Sequence, residues 1–516
     1  MSSSGLPVAT VSFILSSDHT DESISNPEIT LDMLPLDVHI LILAHLPPRD
    51  IIAYRQVCRL FLRATQMKCV WMAALRRIAA TQLFTELTYP MKRLTAKHLE
   101  RLARLPRRLA KLIKHRNEEF IEPHEIRVLP ACLIEADQSR LGIYTSGVVD
   151  SMYLAPGGRF LMTLSSDDVE FPDSTLFTMW DLGLNLQKGR PLLALARYLE
   201  RMDELRLQLF FSDPEKIDTM WTISLERGLA STRILVHKVT LLPQIRISLF
   251  SWHEVPCSDP KTRFHVSLVP KTRNVVLSYN NNGKSYFRVW DFVQNQAALF
   301  VGLTSTGFEE SSVFVYTDCI LYAFEHRIMV YNLPQLQPLS RDTRLKEIRP
   351  ALTVISPLES QNCFYVDYDR FSPLIPHLHS PTRLLAIDAF HLAILEVAES
   401  GLPKKKNFPN KVPILDDEDR DLVPITDARI FAALRGVYMD ICDDKLFFLS
   451  LDHSSPSASL MDSKLKPDKD GKIDLGFVST ELRPPPGVAI ASQTFSPLLC
   501  RHCILTPEGA VYILNY

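Results

Sequence analysis

The sequence predicts an α+β protein of several domains, in which short helices come first and an all-β domain fills most of the chain. The chain has 516 residues, which is more than one ordinary domain needs. Apolar residues recur at helical spacing in the first part of the chain, and from about Glu125 the period changes to that of short strands with turns. Hydrophobic residues make up 46% and charged residues 22% of the chain, which is a globular composition.

The first element is a group of three predicted helices within residues 31–80, after a Ser- and Asp-rich stretch (1–30) that is predicted to be disordered. Apolar residues at Val38, Leu41, Ile42 and Leu46 predict the first helix. Pro47-Pro48 should end it, because proline cannot donate a backbone hydrogen bond. Asp50 is the predicted N-cap of the second helix. The third would carry Leu60, Phe61, Ala64 and Met67, with Trp71 and Leu75 beyond.

This stretch resembles an F-box. The resemblance rests on Leu34-Pro35, the acidic Asp37, Ile42 and Leu46, then Pro47-Pro48-x-Asp50, Val57-Cys58-Arg59 and Trp71, in that order and without a gap. Two residues depart from the family pattern. Leu62 stands near the place where many members carry tryptophan, and His39 replaces a usual leucine. The resemblance covers about forty residues and implies nothing about the rest of the chain.

The resemblance implies a substrate-recognition subunit of an SCF-type ubiquitin ligase. In such a ligase the F-box binds the Skp-family adaptor, through which it is tied to a cullin and a RING subunit, and a second domain holds the protein substrate. Three short helices cannot bury all their apolar surface alone, so one edge should stay open for the adaptor. The predicted adaptor-binding residues are Leu34, Pro35, Val38, Ile42, Leu46, Pro47, Pro48 and Val57. Leu60, Phe61 and Trp71 are predicted to pack inside the unit instead.

A basic helical linker is predicted over residues 81–124. Thr95 is a possible N-cap, and Leu99, Leu102 and Leu105 should share one face of a helix that Pro106 interrupts. The stretch carries ten Lys and Arg residues between Lys92 and Arg116. Binding to nucleic acid or to a membrane surface is one interpretation. The stretch has no aromatic residue for base stacking and only a narrow apolar stripe, which favours a solvated face on a connector between two domains.

Residues 125–516 are predicted to form the all-β domain. Two units share one layout: a first turn at Pro156-Gly157-Gly158 or at 270–273, a second hairpin, and a closing Trp180-Asp181 or Trp290-Asp291. That ending resembles the blades of WD repeats. Weaker copies bring the total to about seven units, so the sequence predicts a β-propeller of six to eight blades. A β-sandwich with a separate small domain is the alternative. A strand within residues 126–144 should pair with the C-terminal strand, 511–514, and close the ring.

Two long insertions are predicted in the β domain, at residues 402–424 and 453–488. The first holds Lys404-Lys405-Lys406 followed by acidic residues from Asp416 to Asp421, and the second holds three consecutive prolines from Pro484. Opposed charge blocks beside prolines are typical of solvated loops. Nuclear import through the three lysines is the alternative interpretation of the first loop.

Candidate chemical motifs are few. Cys500-x-x-Cys503 has the spacing of half a zinc site. The sequence has no second pair with this spacing, which favours an interpretation of the two residues as core cysteines. His377-x-His379 lies among prolines without a carboxylate at metal-site spacing. The stretch 468–474 lacks both end ligands of a calcium loop. The sequence therefore predicts no catalytic residue, no cofactor and no metal site.

Charge and cysteine usage indicate the compartment and the partners. The formal net charge is −2, so no nucleic-acid or membrane partner is expected. Nine scattered cysteines suit a reducing compartment, and the first residues lack the basic segment of a signal peptide, which predicts a cytoplasmic or nuclear protein. Two other functions stay open. One is a propeller scaffold in a non-ligase assembly, and the other is an enzyme with its site in a central channel.

Overall fold

The computed structural model places a helical unit before a series of small β-sheets. The residues that it describes are 31–82, 91–115, 120–129, 148–155, 157–166, 174–184, 191–200, 209–213, 216–227, 231–240, 246–256, 264–268, 274–281, 284–304, 312–315, 319–324, 327–333, 335–339, 347–355, 364–367, 383–387, 391–396, 412–413, 438–442, 445–450, 457–462, 478–496 and 498–516.

Five α-helices and two short 3-10 helices make up the helical part of the described chain. The α-helices are α1 (Leu36–His45), α2 (Pro48–Arg55), α3 (Arg59–Thr65), α4 (Lys68–Gln82) and α5 (Ala96–His115), and the 3-10 helices are Leu31–Met33 and Met91–Arg93. The predicted third helix is divided at Gln66–Met67, so that Trp71 lies on the separate α4. Asp50 is not the N-cap of α2, because the helix begins at Pro48, whose missing N–H costs nothing at a first helical position.

Helix α5 has the predicted cap at Thr95 but not the predicted interruption at Pro106. Thr95 accepts a hydrogen bond from the His98 backbone N–H at 3.3 Å, which confirms it as the cap. The helix continues through Pro106, where the sequence predicted an interruption. Packing explains the difference: Leu102 and Leu105 before the proline and Ile113 after it are all buried, and this contact holds both halves of the helix in line.

The described strands form seven sheets. Strands β1 (Phe120–Ile121) and β2 (Glu125–Leu129) follow α5 and join the last two sheets. The first sheet holds β3 (Val148–Leu154), β4 (Phe160–Ser166), β5 (Ser174–Asp181) and β6 (Leu192–Glu200). The second holds β7 (Leu209–Asp213), β8 (Lys216–Arg227), β9 (Ser231–Thr240) and β10 (Arg246–Pro256). The third holds β11 (Phe264–Leu268), β12 (Asn274–Asn281), β13 (Lys284–Asp291) and β14 (Gln296–Thr304), with the short β18 (Gln337–Pro338) and β19 (Glu347–Ile348).

The remaining sheets follow the same antiparallel plan. The fourth holds β15 (Ser312–Val315), β16 (Cys319–Phe324), β17 (Arg327–Asn332) and β20 (Leu352–Ile355). The fifth holds β21 (Phe364–Asp367), β22 (Arg383–Ile387), β23 (His391–Glu396) and β24 (Val412–Pro413). The sixth holds β25 (Tyr438–Cys442), β26 (Lys445–Ser450), β27 (Ser457–Asp462) and β28 (Val478–Leu482), and β1 adds to it in parallel. The seventh holds β29 (Ser492–Ser496), β30 (Arg501–Leu505), β31 (Val511–Asn515) and β2.

Where the side chains are described, neighbouring sheets pack against each other through apolar residues, as the blades of a propeller do. Val239 and Ile247 of the second sheet lie in one cluster with Phe160 and Phe177 of the first. Separate clusters join the second sheet to the third and the third to the fourth. A further cluster joins Met152 and Leu161 of the first sheet to strands of the seventh, so the last sheet packs against the first. The predicted β-propeller is therefore the architecture of this part of the chain.

The predicted seam is confirmed. Strand β2 pairs with the C-terminal strand β31 in antiparallel register, with Glu125 opposite Asn515 and Leu129 opposite Val511. One sheet thus takes one strand from the start of the β domain and three from its end. The pairing ties the two ends of the domain together by hydrogen bonds as well as by apolar contact.

The two predicted insertions contain strands. Strand β24 lies within 402–424, and β27 and β28 lie within 453–488. The second insertion is therefore not one exposed loop: β27 pairs with β26 on one side and with β28 on the other. Its prolines and serines indicated a loop, and the two strands are of mixed polar and apolar composition and only six and five residues long. Strand β1 likewise lies within the region predicted as a helical linker.

Trp-Asp ends two strands, as the sequence indicated. Trp180 and Trp290 are buried, whereas the aspartate after each binds the turn that follows. Asp181 accepts hydrogen bonds from Arg159 at 2.9 and 2.6 Å and from the backbone N–H of Gly183 at 2.9 Å. The carboxylate thereby fixes the end of β5 against the turn between β3 and β4.

Candidate functional site

The candidate site is the outer surface of α1 and α2 together with the chain that leads into α1. Helix α1 begins after Pro35, with Asp37 in its first turn, where a carboxylate is favoured by the helix dipole. The helix ends at His45, since Pro47 and Pro48 follow closely. Its ten residues are apolar on most sides, and packing decides which of them are covered. Leu43 is fully buried, and Leu41 is 63% exposed.

A cluster of rings fixes α1 to α2 and α3. His39 is fully buried, and its Nδ1 lies 2.7 Å from the hydroxyl of Tyr54. Tyr54 stacks on Phe61 with ring centroids 4.1 Å apart, and the ring of His39 lies 4.9 Å from that of Phe61. Burial, and then the nearby Cys58, raise the pKa of Tyr54, so its hydroxyl stays protonated at neutral pH. His39 stands where the family usually has a leucine. It occupies a buried position among aromatic rings and adds one hydrogen bond, to Tyr54.

A polar network holds the helices to one another and to α5. Arg55 donates to both carboxylate oxygens of Glu100 on α5, at 3.0 and 2.8 Å, and to the hydroxyl of Thr65 at 3.1 Å. The indole of Trp71 donates to the backbone oxygen of Thr65 at 2.7 Å. Arg77 donates to the backbone oxygen of Leu46. A bidentate arginine–carboxylate pair is directional, so these contacts set the angle at which α2 meets α5.

The predicted adaptor-binding residues all reach the surface. None of the eight is buried: Pro35, Pro47 and Val57 are exposed, and Leu34, Val38, Ile42, Leu46 and Pro48 are half-buried. Val57 is 68% exposed. Phe61 and Trp71 are buried as predicted, and Leu60 is half-buried. Whether the eight residues contact an adaptor stays a prediction.

Several exposed apolar residues of the same helical unit, including one on α3, were missed by the sequence reasoning. They are Leu31, Met33, Leu36, Leu41 and Leu62, with exposed fractions of 48%, 62%, 39%, 63% and 38%. We call these residues and the eight predicted ones the apolar edge. Leu41 was recognised as part of the helical pattern, but the pattern did not show which side of α1 is covered. All of these residues lie within 31–62, so this short segment carries many exposed or half-buried apolar side chains.

The helical unit and the β part share a core. Leu498 and Leu499, in the turn between β29 and β30, lie in one cluster with Leu99 and Leu102 of α5 and with Trp71. Ile113 of α5 lies in a second cluster with strands of the sixth and seventh sheets. Helix α5 therefore packs both on the other helices and on the β part. The prediction of a connector between two parts agrees with this position.

Cys500 and Cys503 are core residues of two different clusters. Cys500 lies in the turn before β30 with a positive φ of 50°, and its thiol contacts the backbone oxygen of Leu105 at 3.6 Å. Cys503 lies in β30, where burial raises the pKa of its thiol to about 12. Both side chains are fully buried, each in its own cluster. This arrangement agrees with the interpretation as core cysteines, and in the described part of the chain no group of three metal-ligating side chains is found.

The β part exposes one apolar segment that the sequence did not single out. Leu249, Phe250 and Trp252 of β10 are 53%, 44% and 51% exposed. Strand β10 is an edge of its sheet, and Arg233 lies over the ring of Trp252 at 5.5 Å. The other sequence candidates, His377-x-His379, the basic and acidic blocks from Lys404 to Asp421, and 468–474, lie outside the described residues. Among the described helices, none combines the length and the apolar character needed to cross a membrane.

Comparison with known proteins defines the class. Residues 31–72 match the family of the F-box domain, so the chain carries an F-box. F-box domains bind the Skp adaptor of SCF complexes. In this chain the segment that matches the F-box domain is followed by the propeller described above. No curated protein matches the chain significantly.

Solved structures similar to this chain include several propellers. One is Chaetomium thermophilum Sqt1 bound to the N-terminus of the ribosomal protein L10, with 10% identity, a TM-score of 0.35 and coverage of 72% of this chain and 85% of that one. Another is the Neurospora crassa Pan2 WD40 domain, with 9% identity, a TM-score of 0.36 and coverage of 77% and 97%. At this level of similarity the function has to be argued from the chain's own residues.

Proposed function

We propose that the chain is the substrate-recognition subunit of an SCF-type ubiquitin ligase. Its F-box would bind the Skp-family adaptor, and through it the cullin and the RING subunit, and its propeller would hold a protein substrate. The observation that carries the proposal is the apolar edge. It lies on the segment that matches the F-box family, and its exposed members include Met33, Leu41 and Val57.

Burial of the apolar edge supplies the free energy of such a complex. Removing apolar surface from water contributes about 25 cal/mol per Å². The helices that carry the edge are fixed from behind by the Arg55–Glu100 pair and by Trp71, so little conformational freedom is left to lose on binding. A rigid apolar surface with proline at its rim is suited to a lasting interface with another protein.

The propeller is proposed as the part that holds the substrate, and the chain itself as non-catalytic. A closed ring of sheets presents the ends of its strands on two broad surfaces, where a protein substrate can bind. The anchoring of α5 between the helices and the β part supports this role. A substrate receptor must hold its cargo at a defined distance from the ligase core, and a loose connection would not do so.

The test is capture of the adaptor and the cullin by the full-length chain. Val57→Asp places a carboxylate within the proposed interface, where its desolvation would cost several kcal/mol, so capture of both proteins should be lost. Leu192→Asp is the matched control, because Leu192 has the same 68% exposure but lies on β6. The control should capture both proteins as the wild type does. Val57 suits this test better than Leu46, because Leu46 packs partly against the core and its replacement could also destabilise the helical unit.

Three outcomes count against the proposal. Undiminished capture by Val57→Asp would show that the apolar edge is not the adaptor site. Equal loss in Leu192→Asp would show that added charge, and not its location, disrupts binding. Capture of the adaptor without cullin would favour a scaffold in a non-ligase assembly.

A further inference from the structure

Five cations form a straight row on the exposed side of α5. Lys97, Arg101, Arg104, Arg108 and Lys111 are all exposed. Their spacing of four, three, four and three residues places them within an arc of about 80° and along about 21 Å of the helix. The buried residues of α5 lie on the opposite side. We call these five residues the basic ridge.

The basic ridge is almost without counter-charge. Arg104 lies 3.2 Å from Glu100, but that carboxylate is already bound at both oxygens by Arg55. Among the described residues no carboxylate pairs with the other four members. After burial, the charges of Arg108 and Arg101 are among the causes that lower the pKa of His124, so the positive field reaches past the end of the helix. This concentration stands out in a chain whose formal net charge is −2.

The arrangement works against the stability of the helix. Like charges three and four residues apart repel each other on a helix, and the basic ridge contains four such consecutive pairs. Lys97 also lies in the first turn of α5, where the helix dipole disfavours a cation. Packing of Leu99, Leu102 and Ile113 holds the helix in spite of this repulsion. A row of charges that costs stability and is held rigidly is typical of a binding surface.

We propose that the basic ridge binds an acidic polypeptide segment of a protein partner, independently of adaptor binding. A single row of cations on a convex helix matches a single chain of carboxylates, and three of the five are arginines, which bind carboxylates with two hydrogen bonds. A nucleic acid is favoured less, because α5 offers no aromatic residue for stacking and the exposed Glu122 follows the helix closely. A membrane is favoured less, because the apolar side of α5 is buried in the protein.

The experiment measures binding of a labelled ten-residue oligoglutamate to the full-length chain by fluorescence anisotropy. The wild type should bind, with an affinity that falls as salt is raised. The double variant Arg101→Glu/Arg108→Glu should bind at least tenfold more weakly, and Arg101→Gln/Arg108→Gln should lose an intermediate amount. The matched control is Arg49→Glu/Arg63→Glu, which reverses two exposed arginines on α2 and α3. It should keep the affinity of the wild type. Circular dichroism of each variant checks that the helices are retained.

Four outcomes would overturn the proposal. The first is no binding of oligoglutamate by the wild type, and the second is equal loss in the control. The third is tighter, ridge-dependent binding of a ten-nucleotide oligothymidylate or of phosphatidylserine vesicles, which would assign the ridge to nucleic acid or to a membrane. The fourth is a gain in affinity when 416–421 is deleted, which would assign the ridge to the chain's own acidic segment.

Discussion

Arg501 shows how single buried side chains join the ends of the propeller. It is fully buried, and its guanidinium donates to Asn515 at 3.1 Å and to the backbone oxygens of Gly158, Gly183 and Leu182. The first partner belongs to the seventh sheet and the other three to turns of the first. Asn515 in turn donates to Glu125 at 2.8 Å. A guanidinium can satisfy this many carbonyl groups at once because its donors are fixed in one plane.

Replacing Arg501 should therefore destabilise the ring. Arg501→Met keeps much of the side-chain volume but removes the donor to the backbone oxygens of Gly158 and Gly183, which should lower the free energy of unfolding by roughly 2–5 kcal/mol. The backbone oxygen of Leu182 still accepts from Arg127 at 3.3 Å. Arg233→Met is the control, since Arg233 is half-exposed and its contacts, a pair with Glu226 at 3.4 Å and the ring of Trp252 at 5.5 Å, are with side chains at the surface. Its cost should stay below about 1 kcal/mol. Urea unfolding of both variants is the measurement, and similar midpoints would contradict this role for Arg501.

A second buried contact makes stability depend on pH. His253 accepts a hydrogen bond from Arg288 at 2.6 Å, because a guanidinium can only donate. Burial, and then the charge of Arg288, lower the pKa of His253 from 6.5 to about 3. Between these values the unfolded chain binds a proton that the native protein excludes. The contribution of His253 is thus complete above pH 6.5 and is lost as the pH falls toward 3, at about 1.4 kcal/mol per pH unit.

The variant that isolates this effect is His253→Gln, whose amide oxygen can still accept from Arg288. Its free energy of unfolding should fall less steeply than that of the wild type between pH 6.5 and 4.5. His502, whose pKa burial also lowers to about 3, is present in both proteins and cancels in the comparison. Parallel pH profiles of the two proteins in urea unfolding would refute the assignment.

At the scale of elements, the sequence predicted the presence of many helices and hairpins better than it predicted where they begin and end. The helix of the basic stretch and the hairpins at Pro156–Gly158 and at the C-terminus follow from period and turn chemistry alone. The course of α5 through Pro106 does not, because it depends on contacts with strands far along the chain. Strands β27 and β28 were missed for the same reason: each is too short to show a period, and each is fixed by pairing with its neighbours.

Turn glycines offer a direct test of packing between elements. Gly509, in the turn between β30 and β31, has a φ of +81°, and a Cβ there would lie 2.5 Å from Val148 Cγ1 and 2.9 Å from the Val149 backbone nitrogen. Gly183 has a similar φ of +71° but no atom within 4 Å of its Cβ position. Gly183→Ala should therefore cost about 1 kcal/mol for the backbone alone. Gly509→Ala should cost clearly more in thermal unfolding, and equal shifts in Tm would show that the first and seventh sheets are not packed this closely.

At the scale of the whole molecule, the sequence predicted the division into a helical and a β part, but not how closely the two parts are joined. A boundary at residue 125 follows naturally from the change of period. In the structure, β1 adds to the sixth sheet and α5 covers apolar residues of the sixth and seventh sheets. Such contacts join residues several hundred positions apart and leave no local signal. The eight predicted edge residues, in contrast, could be proposed from the sequence because most of them belong to a specific family pattern, and their contact with an adaptor stays a prediction.

Two truncated chains test whether the β part depends on its contacts with α5 and β1. A chain of residues 91–516 retains α5 and β1 and should unfold cooperatively. A chain of residues 125–516 lacks both, exposes Leu482 and Leu498 among others, and should aggregate or melt at a lower temperature. Soluble expression and thermal unfolding are the measurements. Equal stability of the two chains would mean that the β part folds without the helix.

Hydroxyl-radical footprinting of the full-length chain with and without the Skp-family adaptor tests the central claim most directly. The method reports the exposure of individual side chains, and the structure supplies the exposed apolar residues to follow. We expect Met33, Leu41 and Val57 to lose reactivity when the adaptor is bound, whereas Leu192 and Trp252 keep theirs. Unchanged reactivity of the first three in the presence of bound adaptor, or protection that falls on the β part instead, would contradict the account.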